Sequence, residues 1–269
     1  MMAGHWLNVR RSDTPLILAM PHGGTLIPDD ATYGFISPWL ALRDADWHIA
    51  QVYADLVDAT VVESRVSRSV IDVNRDPSGA SLYPGQATTD LCPRTTFDGD
   101  PLFTDDGPAD AEIARRRQAF FDPYHAALAG EIGRLRTLHH RVVVYDCHAI
   151  RSRIPRLFEG ELPELNIGSN NGATCDPALR DAVMEIASQT GRSYVVDGRF
   201  RGGWTTRHYG TPASSVHAIQ MELAFRAYLD EPKGRVSPAN WPVAFDPAVA
   251  APLRTSLKHI LTACLEFAR

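Results

Sequence analysis

Short apolar runs alternating with helical stretches set the strongest limit on what this chain can fold into. PLILAM (15–20), RVVVYD (141–146), SYVVDG (193–198) and SVHAIQMEL (215–223) each read as a buried strand. The first closes on PHGG, whose glycines suit a tight turn, and the second closes on CHAI. Residues 38–58 carry Trp39, Leu42, Ile49, Val52, Tyr53 and Leu56 at helical spacing, and 110–139 read as one long amphipathic helix. Residues 60–73 offer two further β-branched strand segments, and about 176–190 a helix. Asp246–Pro247 supplies a cap and first-turn proline for a helix running to the end of the chain. This alternation predicts an α/β fold with a mostly parallel central sheet, whose ligands sit beyond the carboxyl ends of the strands. No repeat, charge block or linker divides it, so residues 1–269 are read as a single domain.

Composition narrows the function. With 44% hydrophobic and 22% charged residues over 269 positions, the chain can bury a sizeable core. Nineteen Gly and nineteen Pro are near average usage, which excludes collagen-like and low-complexity readings. The balance of 27 Lys+Arg against 32 Asp+Glu, a net charge of −5, gives no bulk attraction for nucleic acid or an anionic membrane. No uncharged apolar run approaches the ~20 residues of a transmembrane helix, and MMAGHWLNVRRSDTP lacks the apolar stretch of a signal peptide. Four cysteines, at 92, 147, 175 and 264, are too scattered for a disulfide framework or a CxxC zinc site. A reduced, cytoplasmic enzyme is expected.

Chemistry gathers at the strand ends. PLILAM delivers His22, RVVVYD delivers His148, and SVHAIQMEL carries Glu222. In a parallel sheet these converge at one edge, and two histidines with a carboxylate form a usual catalytic zinc set with an open position for water. A single strand-end histidine serves equally well to satisfy a turn, and no HExxH pair is present. Asp44 and Asp46, near the first helix, are candidates for an acidic ligand, although most loop aspartates are solvated or capping residues. A second group is cationic. Arg65, Arg68 and Arg75 surround one strand segment, and RFRGGWTTRHYG adds Arg199, Arg201 and Arg207. Arginine forks suit two-point binding of carboxylates, and glycines let backbone approach a small ligand. Surface salt bridges would account for most arginines in an acidic protein, but a small anionic substrate fits this grouping better than a polymer.

The ordered motifs PHGGTLIPDD (21–30), DADWHIAQVY (44–53), SRSVIDVNRDP (67–77), LYPGQ (82–86) and LCPRTTFDGDPL (91–102) resemble the N-formylglutamate amidohydrolase family. RSRIPRLFEGELPELNIGSNNGATC (151–175), RFRGGWTTRHYG (199–210) and VHAIQMELAFRAYLDE (216–231) extend the resemblance, which spans about 14–231. It implies a zinc-dependent deformylase that hydrolyses N-formyl-L-glutamate to formate and L-glutamate in histidine degradation. It also implies a mixed, largely parallel sheet like that of zinc carboxypeptidases and aspartoacylases. By resemblance His22 and His148 match the zinc-ligand histidines, Glu222 the general base, and Arg68 the arginine that polarises the scissile carbonyl. Asn74 and Arg75 match a pair that grips a substrate carboxylate, and Arg207 lies in another matching segment. One departure stands out: those related enzymes take an acidic ligand three residues after the first histidine, where this chain has Thr25. Asp46 is the expected replacement, with Asp44 behind it, giving one zinc per chain.

The irregular stretches 76–106 and 151–175 are expected to close over the substrate and exclude water. Two alternatives belong to other readings of the same residues. One is a zinc amidase or carboxypeptidase of the same fold acting on another N-acyl amino acid or a peptide. The other is a non-enzymatic binder of acidic amino acids, which would have no need of a carboxylate such as Glu222 beside a metal.

Overall fold

A computed structural model of the chain describes residues 6–31, 34–80, 85 and 88–269. Seven strands form its sheet: β1 (Leu7–Arg10), β2 (Leu16–Met20), β3 (Thr60–Ser64), β4 (Val142–Ile150), β5 (Leu165–Gly168), β6 (Tyr194–Val196) and β7 (Val216–Ala224). Their spatial order is β1-β3-β2-β4-β7-β5-β6. The pairs β3–β2, β2–β4, β4–β7 and β5–β6 are parallel, whereas β1–β3 and β7–β5 are antiparallel. The expected mixed, mostly parallel α/β sheet is therefore present. The two strands that the apolar pattern missed are β1, a half-exposed edge, and β5, a four-residue segment inside an irregular stretch.

The helices are α1 (Pro38–Leu42), α2 (Ile49–Tyr53), α3 (Asp110–Arg116), α4 (Asp122–Arg136), α5 (Pro177–Gln189), α6 (Trp204–Tyr209) and α7 (Pro247–Ala268). One face of the sheet packs Leu16, Leu18, Tyr145, Cys147, Ile219 and Met221 against α2, α5 and α7. The opposite face packs Ile17, Ala19, Val142, Val144 and Ala218 against Phe121, Tyr124, Leu128 and Leu135 of the α4 region. Burial of both faces explains why the central strands read as unbroken apolar runs. All four cysteines are free and buried. No described helix is long and apolar enough to cross a membrane.

Four local departures from the sequence reading appear, three of them with evident physical causes. The expected helix at 38–58 is two short ones, because residues 43–48 turn inward, with His48 at a φ of 64°. The expected helix at 110–139 contains a π-helical turn at Arg117–Phe121, just before Pro123, which has no N–H for the regular ladder. The second strand expected within 60–73 is absent from the described sheet. There Ser67 Oγ donates to the Ala41 carbonyl (2.8 Å) and accepts from Ser69 N–H (3.2 Å), folding the chain into turns. RVVVYD also runs on as strand to Ile150, so His148 lies within β4 rather than after it. Of the LYPGQ motif, residues 82–84 and 86 lie outside the described residues.

The PHGG segment needs glycine for close approach, since neither Gly23 nor Gly24 has a left-handed φ. A Cβ on Gly24 would lie 2.2 Å from the Arg65 carbonyl carbon and 2.5 Å from the Val66 oxygen. Alongside, Leu26 N–H donates to Arg65 O (2.8 Å) and Ser67 N–H to Leu26 O (2.8 Å). This pairing holds the segment carrying His22 against the one carrying Arg68. Gly24→Ala is therefore expected to destabilise the protein by at least ~1–3 kcal/mol, the usual range for overpacking. Equilibrium urea denaturation checks this, and an unchanged midpoint would show that the two segments separate freely.

Candidate active site

β2, β4 and β7 are adjacent and run in one direction, so their carboxyl ends open on the same side. Along one face of β4 the side chains run Val142, Val144, Asp146, His148, and along β7 Val216, Ala218, Gln220, Glu222. Both rows begin in the apolar core and end in polar groups at the strand tips. In the register of this pair His148 stands opposite Glu222. His22 arrives just beyond β2, and its carbonyl accepts from Asp46 N–H (3.0 Å), which ties the inward turn at 43–48 to the strand end.

That turn completes a triad. One donor atom from each of His22, Asp46 and His148 lies within 4.8 Å of the other two, and all three residues are buried. Asp46 Oδ2 is 3.3 Å from His148 Nδ1 and 3.8 Å from His22 Nδ1. Tetrahedral ligands held at ~2.0–2.1 Å from zinc are separated by roughly 3.3 Å, so the spacing suits a small divalent ion with slight contraction. The donors also suit one chemically. His22 Nε2 lies 2.6 Å from Asp72 Oδ1, which as a carboxylate oxygen accepts its N–H and leaves the Nδ1 lone pair facing the triad. His22 Nδ1 is buried with no hydrogen-bond partner among the described residues. Burial, reinforced by the Arg68 charge, holds the His22 pKa down at about 4, so the ring is neutral, as a metal ligand must be.

His148 is gripped from both sides. Its Nε2 lies 3.0 Å from Asp146 Oδ1 and 2.9 Å from Asn74 Nδ2. Burial lowers its pKa, but the Asp146 charge and bonds to Asp146 and Asp46 raise it well above the ordinary value, so metal uptake would have to displace a proton from this ring. Asp46 is held below the usual carboxylate range: burial raises it, but the bond to His148, the neighbouring histidine rings and the Arg68 charge outweigh that. Glu222 is pushed up to about 7 by burial, with the His148 and Arg68 charges opposing and those of Asp46 and Asp146 adding. Gln220 Nε2 donates to Glu222 Oε2 (3.1 Å), while Gln220 Oε1 accepts from Gly203 N–H (2.7 Å).

Above the triad opens a cleft of about 570 Å³ including its mouth. His22, Arg68, Asn74, Arg75, His148 and Glu222 all line it. Arg68 is fixed by Asp72 (2.7 Å) and Asp46 (3.4 Å) and lies over the Phe97 ring at 4.8 Å. Arg75 donates to the Thr89 carbonyl and hydroxyl (3.0 and 2.9 Å) and passes 3.6 Å from Asp72. Asn74 is more committed than expected: Nδ2 faces His148 and Oδ1 accepts from Thr205 N–H (2.7 Å). Thr88, Thr89 and Phe97 from the first irregular stretch and Leu157 from the second border the cleft.

The structure separates Asp46 from its alternative Asp44, and sets Arg207 apart from the cleft. Asp44 turns away from the triad, accepting from Phe97 N–H (2.6 Å) and Arg151 (3.5 Å), so Asp46 alone of the two joins the histidines. Arg207, on α6, donates from Nε to the Gly202 carbonyl (2.9 Å) and is not among the cleft-lining residues. Arg199 lines the cleft where Arg207 was expected. Sequence reasoning also passed over Asp72, Asp146 and Gln220. The first stands two residues before Asn74, and the other two continue the alternation that carries His148 and Glu222.

The N-formylglutamate amidohydrolase family model matches residues 14–229. An N-formylglutamate deformylase from Pseudomonas putida is 40% identical over 263 residues, covering 96% of this chain and 95% of its own length. One from Pseudomonas aeruginosa is 38% identical over 267 residues, with coverage of 98% and 97%. Among solved structures, an N-formylglutamate amidohydrolase from Ralstonia eutropha JMP134 is similar with a TM-score of 0.75 at 20% identity, covering 98% of each chain. A gene product of Agrobacterium tumefaciens reaches 0.72 at 19% identity, covering 99% of this chain and 98% of its own. At these identities the two structures support the fold.

The triad makes a direct expectation. Metal-free protein titrated calorimetrically with zinc chloride should take up one ion per chain. Asp46→Ala, which removes a donor rather than an outer support, should weaken uptake by more than the ~10–100-fold typical of outer supports. Equal affinity in wild type and variant would place the ion elsewhere.

Proposed function

Because the chain belongs to the N-formylglutamate amidohydrolase family, we propose that it hydrolyses N-formyl-L-glutamate to formate and L-glutamate, in the cytoplasm and in the service of histidine degradation. The observation that carries this reading is the juxtaposition of the His22–Asp46–His148 triad with Glu222 at the base of an arginine-lined cleft. The names of the two Pseudomonas relatives support the substrate.

His22, Asp46 and His148 would hold one zinc ion per chain. Bound zinc acts as a Lewis acid and lowers the pKa of water from 15.7 to about 7. Glu222, opposite His148 on the neighbouring strand, accepts a proton from the attacking water and returns it to the leaving nitrogen. Gln220 holds one Glu222 oxygen and leaves the other for that proton. Arg68 stands at the cleft wall with its guanidinium fixed before the substrate arrives. Its remaining N–H groups stabilise the oxyanion, a contribution of ~2.7–4 kcal/mol for a comparable single donor. Arg75 binds a substrate carboxylate from the cleft wall, with Asn74 beside it in the lining. Orientation of this kind supplies part of the ~7–11 kcal/mol available from positioning.

Release of L-glutamate from N-formyl-, N-acetyl- and peptidyl-glutamate tests the substrate class, and preference for either larger acyl group would favour an amidase of another specificity. Glu222→Gln keeps nearly the same shape but cannot take the proton. It is expected to retain metal and thermal stability while kcat falls by at least ~10²-fold. Retention of a third of wild-type turnover would remove Glu222 from the chemistry. Exhaustive chelation should abolish activity, with recovery on adding zinc.

A further inference from the structure

Three arginines line the cleft, and their surroundings differ. Arg68 is clasped by Asp46 and Asp72 beside the triad. Arg75 is fastened to Thr89 and passes close to Asp72, whose other oxygen bonds His22. Arg199 comes from a separate segment: its Nε donates to the Leu157 carbonyl (2.9 Å), and its guanidinium lies 5.3 Å from the centre of the Phe200 ring. Leu157 and Phe200 line the cleft with it, so this wall combines a guanidinium with apolar surface.

An N-acyl glutamate carries two carboxylates three carbons apart. The α-carboxylate is attached to the carbon that bears the scissile nitrogen, so it lies close to Glu222 and the triad. Arg75 is tied to that region through Asp72 and the adjacent Asn74. The side-chain carboxylate extends away, beyond two methylenes that suit the apolar contribution of Leu157 and Phe200. Taking the deformylase reading as its basis, we infer that Arg199 recognises the side-chain carboxylate and sets the preference for an acidic side chain, while Arg75 takes the α-carboxylate. The guanidinium plane is already oriented by Leu157 and Phe200, which preserves the two-point geometry that carboxylate recognition exploits. A site built around such a pair discriminates strongly against analogues lacking the group, because a desolvated charge is then left unpaired.

The test uses metal-loaded protein and two readouts. The first is kcat/KM for N-formyl-L-glutamate and N-formyl-L-glutamine in wild type, Arg199→Met, Arg199→Lys and Arg75→Met. The second is calorimetric binding of the products L-glutamate and L-glutamine, which requires no turnover. Arg199→Met should lower both glutamate values by roughly 30-fold or more and leave the glutamine values little changed. Arg199→Lys should recover part of the loss, and Arg75→Met should weaken both ligands alike. Equal losses for glutamate and glutamine in Arg199→Met, no loss for either, or a wild type indifferent between the two products would overturn the assignment. Arg199-dependent selection of glutamate without formate release would uphold it and reject the deformylase reading. Formate release with unchanged selectivity in Arg199→Met would do the reverse.

Discussion

A carboxylate taken out of water has to meet positive charge or hydrogen-bond donors, and this fold answers that demand three times within one cluster. Asp46, Asp72 and Asp146 are each 0% exposed. Asp72 alone gathers His22, Arg68, the Asn74 N–H and Arg75 from four positions. Burial opposes its ionisation, yet the Arg75 and Arg68 charges together with the His22 bond hold its pKa well below the usual range. Such clusters are weak sources of stability, because desolvation offsets most of the Coulombic attraction. Their effect is geometric: most of the oxygens have a fixed partner, so the loops converging on the cluster have few acceptable conformations. The stability that permits this comes from the two apolar layers flanking the sheet.

The same strands supply both parts. Val142 and Val144 lie in the core below Asp146 and His148, and Ala218 lies below Gln220 and Glu222. A one-residue slip between β4 and β7 would exchange core and site faces on every side chain at once. Packing of the valines thus enforces the register that sets His148 opposite Glu222. The energetic work of the core and the positional demands of the chemistry are met by one alternation.

How legible this was follows from the range of the signals. His22, His148 and Glu222 could be found because each lies within or just beyond a strongly apolar strand segment that the sequence marks. Asp46 is preferred to Asp44 already at the level of sequence resemblance, but the physical reason, the path of the 43–48 turn, is concealed by helical spacing at 38–58. Apolar periodicity reports burial on one face, and here a buried turn mimicked it. Arg199 and Arg207 share one Gly-rich segment with no strong strand or helix pattern, so composition offered no basis for choosing between them. Asp146 and Gln220 did leave a signal, since both fall on the site-facing parity of their strands, but that parity becomes useful only once the facing strands are known.

The 43–48 turn also joins the His22–Asp46–His148 triad to the cleft wall. Asp44 and Asp46 are two residues apart and point into different networks. Asp46 accepts from Ala149 N–H (3.0 Å) and approaches both histidines, whereas Asp44 accepts from Phe97 N–H. Around Asp44, Arg151 and Arg43 reach Asp98 (2.7 and 3.0 Å), and Arg43 also bonds Asp100 (2.7 Å) and Thr96. These bonds fix the 96–100 segment, and with it the Phe97 ring beneath the Arg68 guanidinium. Arg68 is therefore positioned from two directions by one turn: Asp46 meets its Nη1, and Asp44 secures the ring across its face. Donors already aimed at a developing charge need no rearrangement during reaction, which is the source of their advantage over solvent. A helix continuous through 38–58 would have buried the same apolar side chains, but it could not have directed both carboxylates into these two networks.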